Sequence, residues 1–201
     1  MDESILRAAN RLAHSPLLAE LAVLLSSPWT ALVVIGTVMI ILLYRRRFGV
    51  IVSVALATGS ADALTSRVIK PAFDRPRPCH VMPELTTPAD CGPGRSFPSG
   101  HAALSFAFLV SASPSLSAGW VFLGPIAVAV SASRVVLGVH YPTDIIGGAI
   151  FGSILGLIAN ALRRRLGPRL DAFRGGPLRC RLRCCRGRGR DHRARSKISD
   201  A

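Results

Sequence analysis

The sequence predicts an all-α fold: an integral membrane helical bundle of about five to six transmembrane helices, followed by a disordered basic C-terminal tail. Three observations point there. Half of the 201 residues are hydrophobic but only 6% are aromatic, and the mean hydropathy is +0.40. That is too apolar for a soluble domain of this length. Long uncharged apolar stretches recur, and two of them end on arginine triplets (45–47 and 163–165). Finally, the net charge of +14 is unevenly spread: residues 163–201 hold 14 of the 25 Lys/Arg against 3 of the 11 Asp/Glu. The basicity belongs mostly to the tail.

Residues 1–27 form the first segment. Apolar residues at 5, 6, 9, 12, 17, 18, 21, 24 and 25 fall near helical spacing, interrupted by Pro16. We read an amphipathic or interfacial segment, with a short sixth span as the rival. No cleavable signal peptide is expected, because a basic n-region and a continuous apolar h-region are lacking. Residues 28–162 form the membrane-embedded domain. Its spans are 29–44, 48–70 (with Asp62 and Arg67 in the latter half), 102–118, 120–139 and 144–162. Gly147, Gly148, Gly152 and Gly156 in the last span suit close helix packing. Asp62 reads as a buried hydrogen-bonding partner. Residues 163–201 are the Arg-rich tail, expected in the cytoplasm.

Positive charge sets orientation. Arg45–Arg47 and Arg163–Arg165 should face the cytoplasm. Alternating the spans then brings 70–78, 97–101 and 133–144 together on the outer face. The loop over 71–98 is long and rich in Pro, so it should be structured or functional. Cys79 and Cys91 lie in it; a disulfide on the outer face and two free thiols are both open readings. Cys180, Cys184 and Cys185 in the tail lack partners at zinc spacing and read as incidental thiols.

The outer face collects Lys70, Arg75 and Arg77 from "KPAFDRPRP", Ser99, Gly100 and His101 from "FPSGH", and Ser133, Arg134, His140 and Asp144 from "SRVVLGVHYPTD". A guanidinium near the end of an apolar span is costly unless paired or facing a polar cavity. Several cations with few carboxylates imply an anionic partner, and Arg geometry suits phosphate. Ser99 is an N-cap candidate, with Gly100 and His101 in the first turn, where free N–H groups favour an anion. Alone, that stretch reads equally well as a simple cap with a satisfied histidine. His140 and Asp144, four apart, change the balance. Asp144 can reach one ring nitrogen of His140 and leave the other as a nucleophile. His101 then serves as general acid and later as general base. One carboxylate with two histidines, and no acidic cluster, argues against a two-metal centre; no metal and no cofactor are expected.

These residues match three motifs in order: Lys70 with Arg77–Pro78 in K-x6-RP, then Pro98–Ser99–Gly100–His101, then Ser133–Arg134, His140 and Asp144 in SR-x5-H-x3-D. On them the chain resembles the type 2 phosphatidic acid phosphatase superfamily, over roughly residues 20–162. The resemblance implies that His140 attacks phosphorus to form a phosphohistidine, with Asp144 behind it and His101 protonating the leaving oxygen. It implies that Lys70, Arg77, Ser99, Gly100 and Arg134 hold the phosphoryl oxygens. Arg75, between motif positions, reads as contacting either a second phosphate or only the loop. The expected substrate is a lipid phosphate or diphosphate whose tail stays in the bilayer. The length and span number look most like bacterial undecaprenyl-diphosphate phosphatases; phosphatidylglycerophosphate and phosphatidate remain alternatives. A reading of another class is a catalytically idle membrane protein whose tail binds anionic lipid or nucleic acid. The tail lacks a nucleic-acid fold and aromatic interleaving, so contact with anionic lipid is expected and specific nucleic acid is not.

Overall fold

The computed structural model describes residues 1–174, with side chains described through residue 166. The rest of the basic tail, Cys180, Cys184 and Cys185 included, lies outside the described residues. The chain divides into two compact units, Met1–Arg163 and Arg164–Ala201. The first carries the bundle.

Among the described residues every regular element is helical. Helix α1 is Asp2–Asn10, and after a short 3-10 turn α2 runs Pro16–Ser26. The single amphipathic segment expected here is thus two helices. Pro16 is the cause: it cannot continue a helical ladder but fits a first turn. Ser27 caps the next helix, α3 (Pro28–Tyr44), its hydroxyl accepting the Thr30 N–H at 3.2 Å. With Pro28 in the first turn the α2–α3 pair bends by 51°.

Helix α4 (Phe48–Leu64) passes through a π turn at Thr65–Ile69 into the short α5 (Lys70–Phe73). After α6 (Pro78–Val81) the chain reaches α7 (Gly100–Ala112), α8 (Gly119–Val136) and α9 (Pro142–Arg174). The runs Phe48–Val81, Gly119–Val136 and Pro142–Leu166 are long and apolar enough to cross a membrane, and the bent α2–α3 pair makes up to a fourth. Helix α7, expected over 102–118, has 13 residues. It stops early because Pro114, in the following 3-10 turn, has no N–H to offer the ladder.

Large apolar side chains point outward: Leu32, Ile40, Leu56, Phe122, Ile150 and Leu157 are all exposed. One part of the interior is built from small residues. Ala57, Ala61, Ala103, Ala107 and Ala159 form one buried cluster. This inversion suits lipid as the surrounding solvent, where association rests on close packing rather than on apolar burial. The glycines of α9 supply that closeness. A Cβ on Gly148 or Gly152 would run into the α7 backbone at Ser99 and Ala103, and one on Gly156 would stand 2.8 Å from Val110. Buried polar groups knit the same helices: Asn160 donates to the Val110 carbonyl at 2.8 Å and accepts from Ser53 at 3.4 Å.

Helix α1 packs over one end of this bundle. Leu6 is completely buried with Met82, Val135 and Tyr141. Asn10 donates to the carbonyls of Thr86 and Val136 at 2.7 and 2.8 Å and accepts from the Thr86 N–H. Cys79 and Cys91 form a disulfide with Cα atoms 6.2 Å apart, which closes the 79–91 loop. Of the two readings open from sequence, the bridge is the one observed.

Candidate active site

The three distant segments meet at that end. Ser99 donates its backbone N–H to the Asp144 carbonyl at 3.0 Å, joining the starts of α7 and α9. His140 follows the turn that ends α8. Gly138 holds φ +71° there, with Asn10 against it, so the turn needs a residue tolerant of the left-handed region. The His140 and Val139 N–H groups both return to the Arg134 carbonyl. The turn thereby carries His140 back to the level of Arg134.

His140 is 2% exposed and Asp144 is fully buried. His140 Nδ1 donates to Asp144 Oδ2 at 3.4 Å, and the Tyr141 N–H donates to the same oxygen at 2.9 Å. The bond to the ring is long, as such bonds often are before substrate binds. It fixes the tautomer: Nδ1 carries the proton, and Nε2 keeps its lone pair. Burial pushes His140 down to about 4, with the charges of Arg77 and Arg134 acting the same way and Asp144 opposing. The ring is therefore neutral near pH 7.

His101 lies in the electrostatic reach of Arg134, His140 and Lys70, and Lys70 in that of Arg77, Arg134 and Asp144. The predicted set is thus one cluster. His101 Nε2 donates to the Ser26 carbonyl at 3.3 Å. The Ser26 hydroxyl pairs with Ser133 at 2.7 Å, and Ser133 also donates to the Val130 carbonyl. Ser133 therefore ties α2 to α8. Arg77 donates to the Cys91 carbonyl at 2.7 Å, which leans it on the disulfide loop. Three buried polar atoms in the cluster have no partner among the described residues: Ser99 Oγ, Arg77 Nε and Arg134 Nε. Unpartnered buried donors are costly unless a ligand completes them.

Arg75 donates to Asp144 Oδ1 at 2.8 Å and to Asp2 Oδ2 at 2.7 Å, over the Tyr141 ring. One reading changes. Asp62 is exposed rather than buried, and its carboxylate accepts no hydrogen bond among the described residues. It lines a cavity of about 580 Å³ that reaches from the α2–α3 elbow past Leu104, Phe108 and Ile126 to His101 and Arg134. Sequence gave no sign of Asp2, whose partners lie across the whole chain. Among the described residues, Cys79, His80 and Cys91 cluster at ligand distances, but the two sulfurs are joined to each other.

Fold and site together define a multi-span membrane protein with a buried histidine–carboxylate pair set in a cationic, anion-accepting pocket. The chain belongs to the PAP2 superfamily, whose profile matches residues 46–168. It is 32% identical over 136 residues to a decaprenylphosphoryl-5-phosphoribose phosphatase of Mycobacterium tuberculosis, covering 67% of this chain and 71% of that one. It is 30% identical over 132 residues to a lipid A 4'-phosphatase of Bacteroides thetaiotaomicron, covering 61% of this chain. The chain spans 57% of the length of the Bacteroides relative. Among solved structures it is similar to a transmembrane PAP2-type phosphatidylglycerolphosphate phosphatase from Bacillus subtilis. The TM-score there is 0.66 at 27% identity, covering 82% of this chain and 85% of that one.

Proposed function

We propose that this chain is a metal-independent membrane lipid phosphatase. The observation that carries the reading is the trio of unpartnered buried donors beside a neutral, oriented imidazole. A phosphoryl group supplies the acceptors those donors lack. His140 Nε2 attacks phosphorus; the bond from phosphorus to the lipid oxygen breaks, and His101, an imidazolium in the substrate complex, gives that oxygen a proton and becomes neutral. Water then attacks the phosphohistidine, His101 takes its proton, and the P–N bond breaks to release phosphate. Asp144 holds the ring through both steps. Lys70, Arg77, Ser99, Gly100 and Arg134 stabilise the charge on the phosphoryl oxygens.

The apolar cavity between the α2–α3 elbow and the α7–α8 pair supports a lipid substrate, because it leads from His101 along Leu104 and Phe108. Within that class we infer undecaprenyl diphosphate, hydrolysed to the monophosphate for cell-wall synthesis. The polyprenyl substrate named for the mycobacterial relative supports this choice. Phosphatidylglycerophosphate is the second reading, favoured by the similarity to the Bacillus phosphatidylglycerolphosphate phosphatase. The site is assigned to the extracytoplasmic face. In support, Arg45–Arg47 lie at the far end of α3 and α4 from the site, and the Arg163 side chain lies against Gly49 there. The basic tail is assigned to the inner leaflet.

Phosphate release from a panel of lipid phosphates and diphosphates, with chelator present, tests the reading. Wild type is expected to turn over, and His140→Ala is expected to be inactive. Equal release from the two proteins, or turnover abolished by chelator, contradicts it.

A further inference from the structure

We infer that Asp2, in a helix outside the matched family region, is a positioning residue for the reaction, acting through Arg75 on Asp144 and hence on His140. The inference rests on the reading of His140 as nucleophile.

The chain of contacts is continuous. Asp144 spends Oδ2 on His140 and on the Tyr141 N–H. Its other oxygen, Oδ1, accepts from Arg75 Nη1 at 2.8 Å. Without Arg75 that buried oxygen loses its charged donor, and the carboxylate can turn away from the ring. Arg75 is itself on a long stem with a side chain 32% exposed, so something must hold it. Asp2 does: Oδ2 accepts from Arg75 Nη2 at 2.7 Å and from the Thr143 hydroxyl at 2.6 Å. Oδ1 accepts the Thr143 N–H at 3.1 Å. Arg75 Nη1 also reaches Thr143 Oγ1 at 2.7 Å, and the Tyr141 ring covers its other face. Asp2 therefore fixes both the guanidinium and the first turn of α9, in which Asp144 stands.

Nothing about holding α1 in place requires this arrangement. Leu6 is buried against Met82, Val135 and Tyr141, and Asn10 bonds Thr86 and Val136. Helix α1 is expected to stay docked through those residues when Asp2 is changed. A carboxylate bridged by Arg to a second carboxylate is a geometric clamp, since the planar guanidinium fixes both partners at once. The charged and titratable groups that bear on His140 are Asp144, Arg77, Arg134 and His101. Those that bear on Asp144 are His140, Tyr141 and the three cations Arg75, Arg77 and Lys70. Arg75 is thus one cation of three near Asp144, and it is the one that bonds the carboxylate.

The test uses the full chain in detergent with the best substrate of the panel above, measuring kcat, KM and the pH profile. The proteins are wild type, His140→Ala, Asp2→Asn, Asp2→Glu, Arg75→Leu and the Asp2→Asn/Arg75→Leu double variant. Arg75→Leu should lower kcat about a hundredfold and Asp2→Asn about tenfold, the scale of a slightly misplaced reacting group. KM should stay within about twofold, since neither residue lines the cavity that leads to His101. The acid limb of kcat/KM should move to higher pH in Arg75→Leu, because the Asp144 charge then favours protonated His140 without its counter-ion. The double variant should be no slower than Arg75→Leu, and Asp2→Glu should recover part of the loss. Wild-type kcat and pH profile in Asp2→Asn, or losses that multiply in the double variant, overturn the inference alone when His140→Ala is inactive. Activity retained by His140→Ala overturns the nucleophile reading, and the inference with it. A thermal midpoint of Asp2→Asn near that of wild type is expected; a large fall, with kcat per folded molecule unchanged, assigns Asp2 to folding and overturns the inference.

Discussion

At the scale of the residue, His140 shows how little of a site lies in one side chain. Its neutrality comes first from burial, and its orientation from Asp144. Free histidine titrates near 6.5, whereas this one is held to about 4. Between those values the unfolded chain binds a proton that the folded chain refuses. Stability is therefore complete above pH 6.5 and falls as pH drops toward 4. Turnover should follow the same window: kcat/KM is expected to persist as pH falls through 6.5 and to decline only toward 4. An acid limb near 6.5 in a measured profile contradicts the burial argument. The spacing of His140 and Asp144 was legible because an (i, i+4) pair depends on local geometry alone. Arg75 was visible but its partners were not. Its partners, Asp2, Thr143 and Asp144, are more than 60 positions away, and no local rule joins them.

At the scale of the element, the α7–α9 seam shows where sequence reading succeeds. Four glycines at near-helical spacing predicted close packing, and the α7 backbone lies directly against three of them. The cost of filling the seam follows. Gly152→Ala is expected to destabilise the protein by about 1–3 kcal/mol, since its Cβ would overlap rigid backbone at Ala103. Thermal unfolding in a fixed detergent measures it. Gly36, with open space around its Cβ position, is the control, and its alanine variant should unfold near wild type. Breaks between elements were harder to read. Pro16 and Pro28 divide the first 44 residues into three helices with an elbow, yet hydropathy alone sees one amphipathic stretch and one span. The length of α7 was overestimated for a similar reason: apolar residues continue past Pro114 although the hydrogen-bond ladder does not.

At the scale of the molecule, the sequence carried the class and the gathering of the site, because span length and arginine placement respond to the bilayer rather than to detailed packing. The topology argument brought together three segments that local reading keeps apart. It predicts that a reporter inserted near residue 85 is extracytoplasmic while one at Arg46 is cytoplasmic; reversed labelling contradicts the assigned orientation. The N-terminal helix was the part that sequence could not place, since its buried residues Leu6 and Asn10 have partners more than 70 positions away. The inverted interior has one further consequence, for how the protein can be interrogated. Alanine scanning would be silent at the buried cluster where Ala57, Ala61, Ala103, Ala107 and Ala159 already stand. Its sensitive map is the opposite one, drawn by adding carbon. A scan to leucine would outline the helix contacts, while the bulky residues that dominate the composition would accept exchange on the lipid-facing side. Within the alanine cluster, tolerance should fall as the introduced side chain grows.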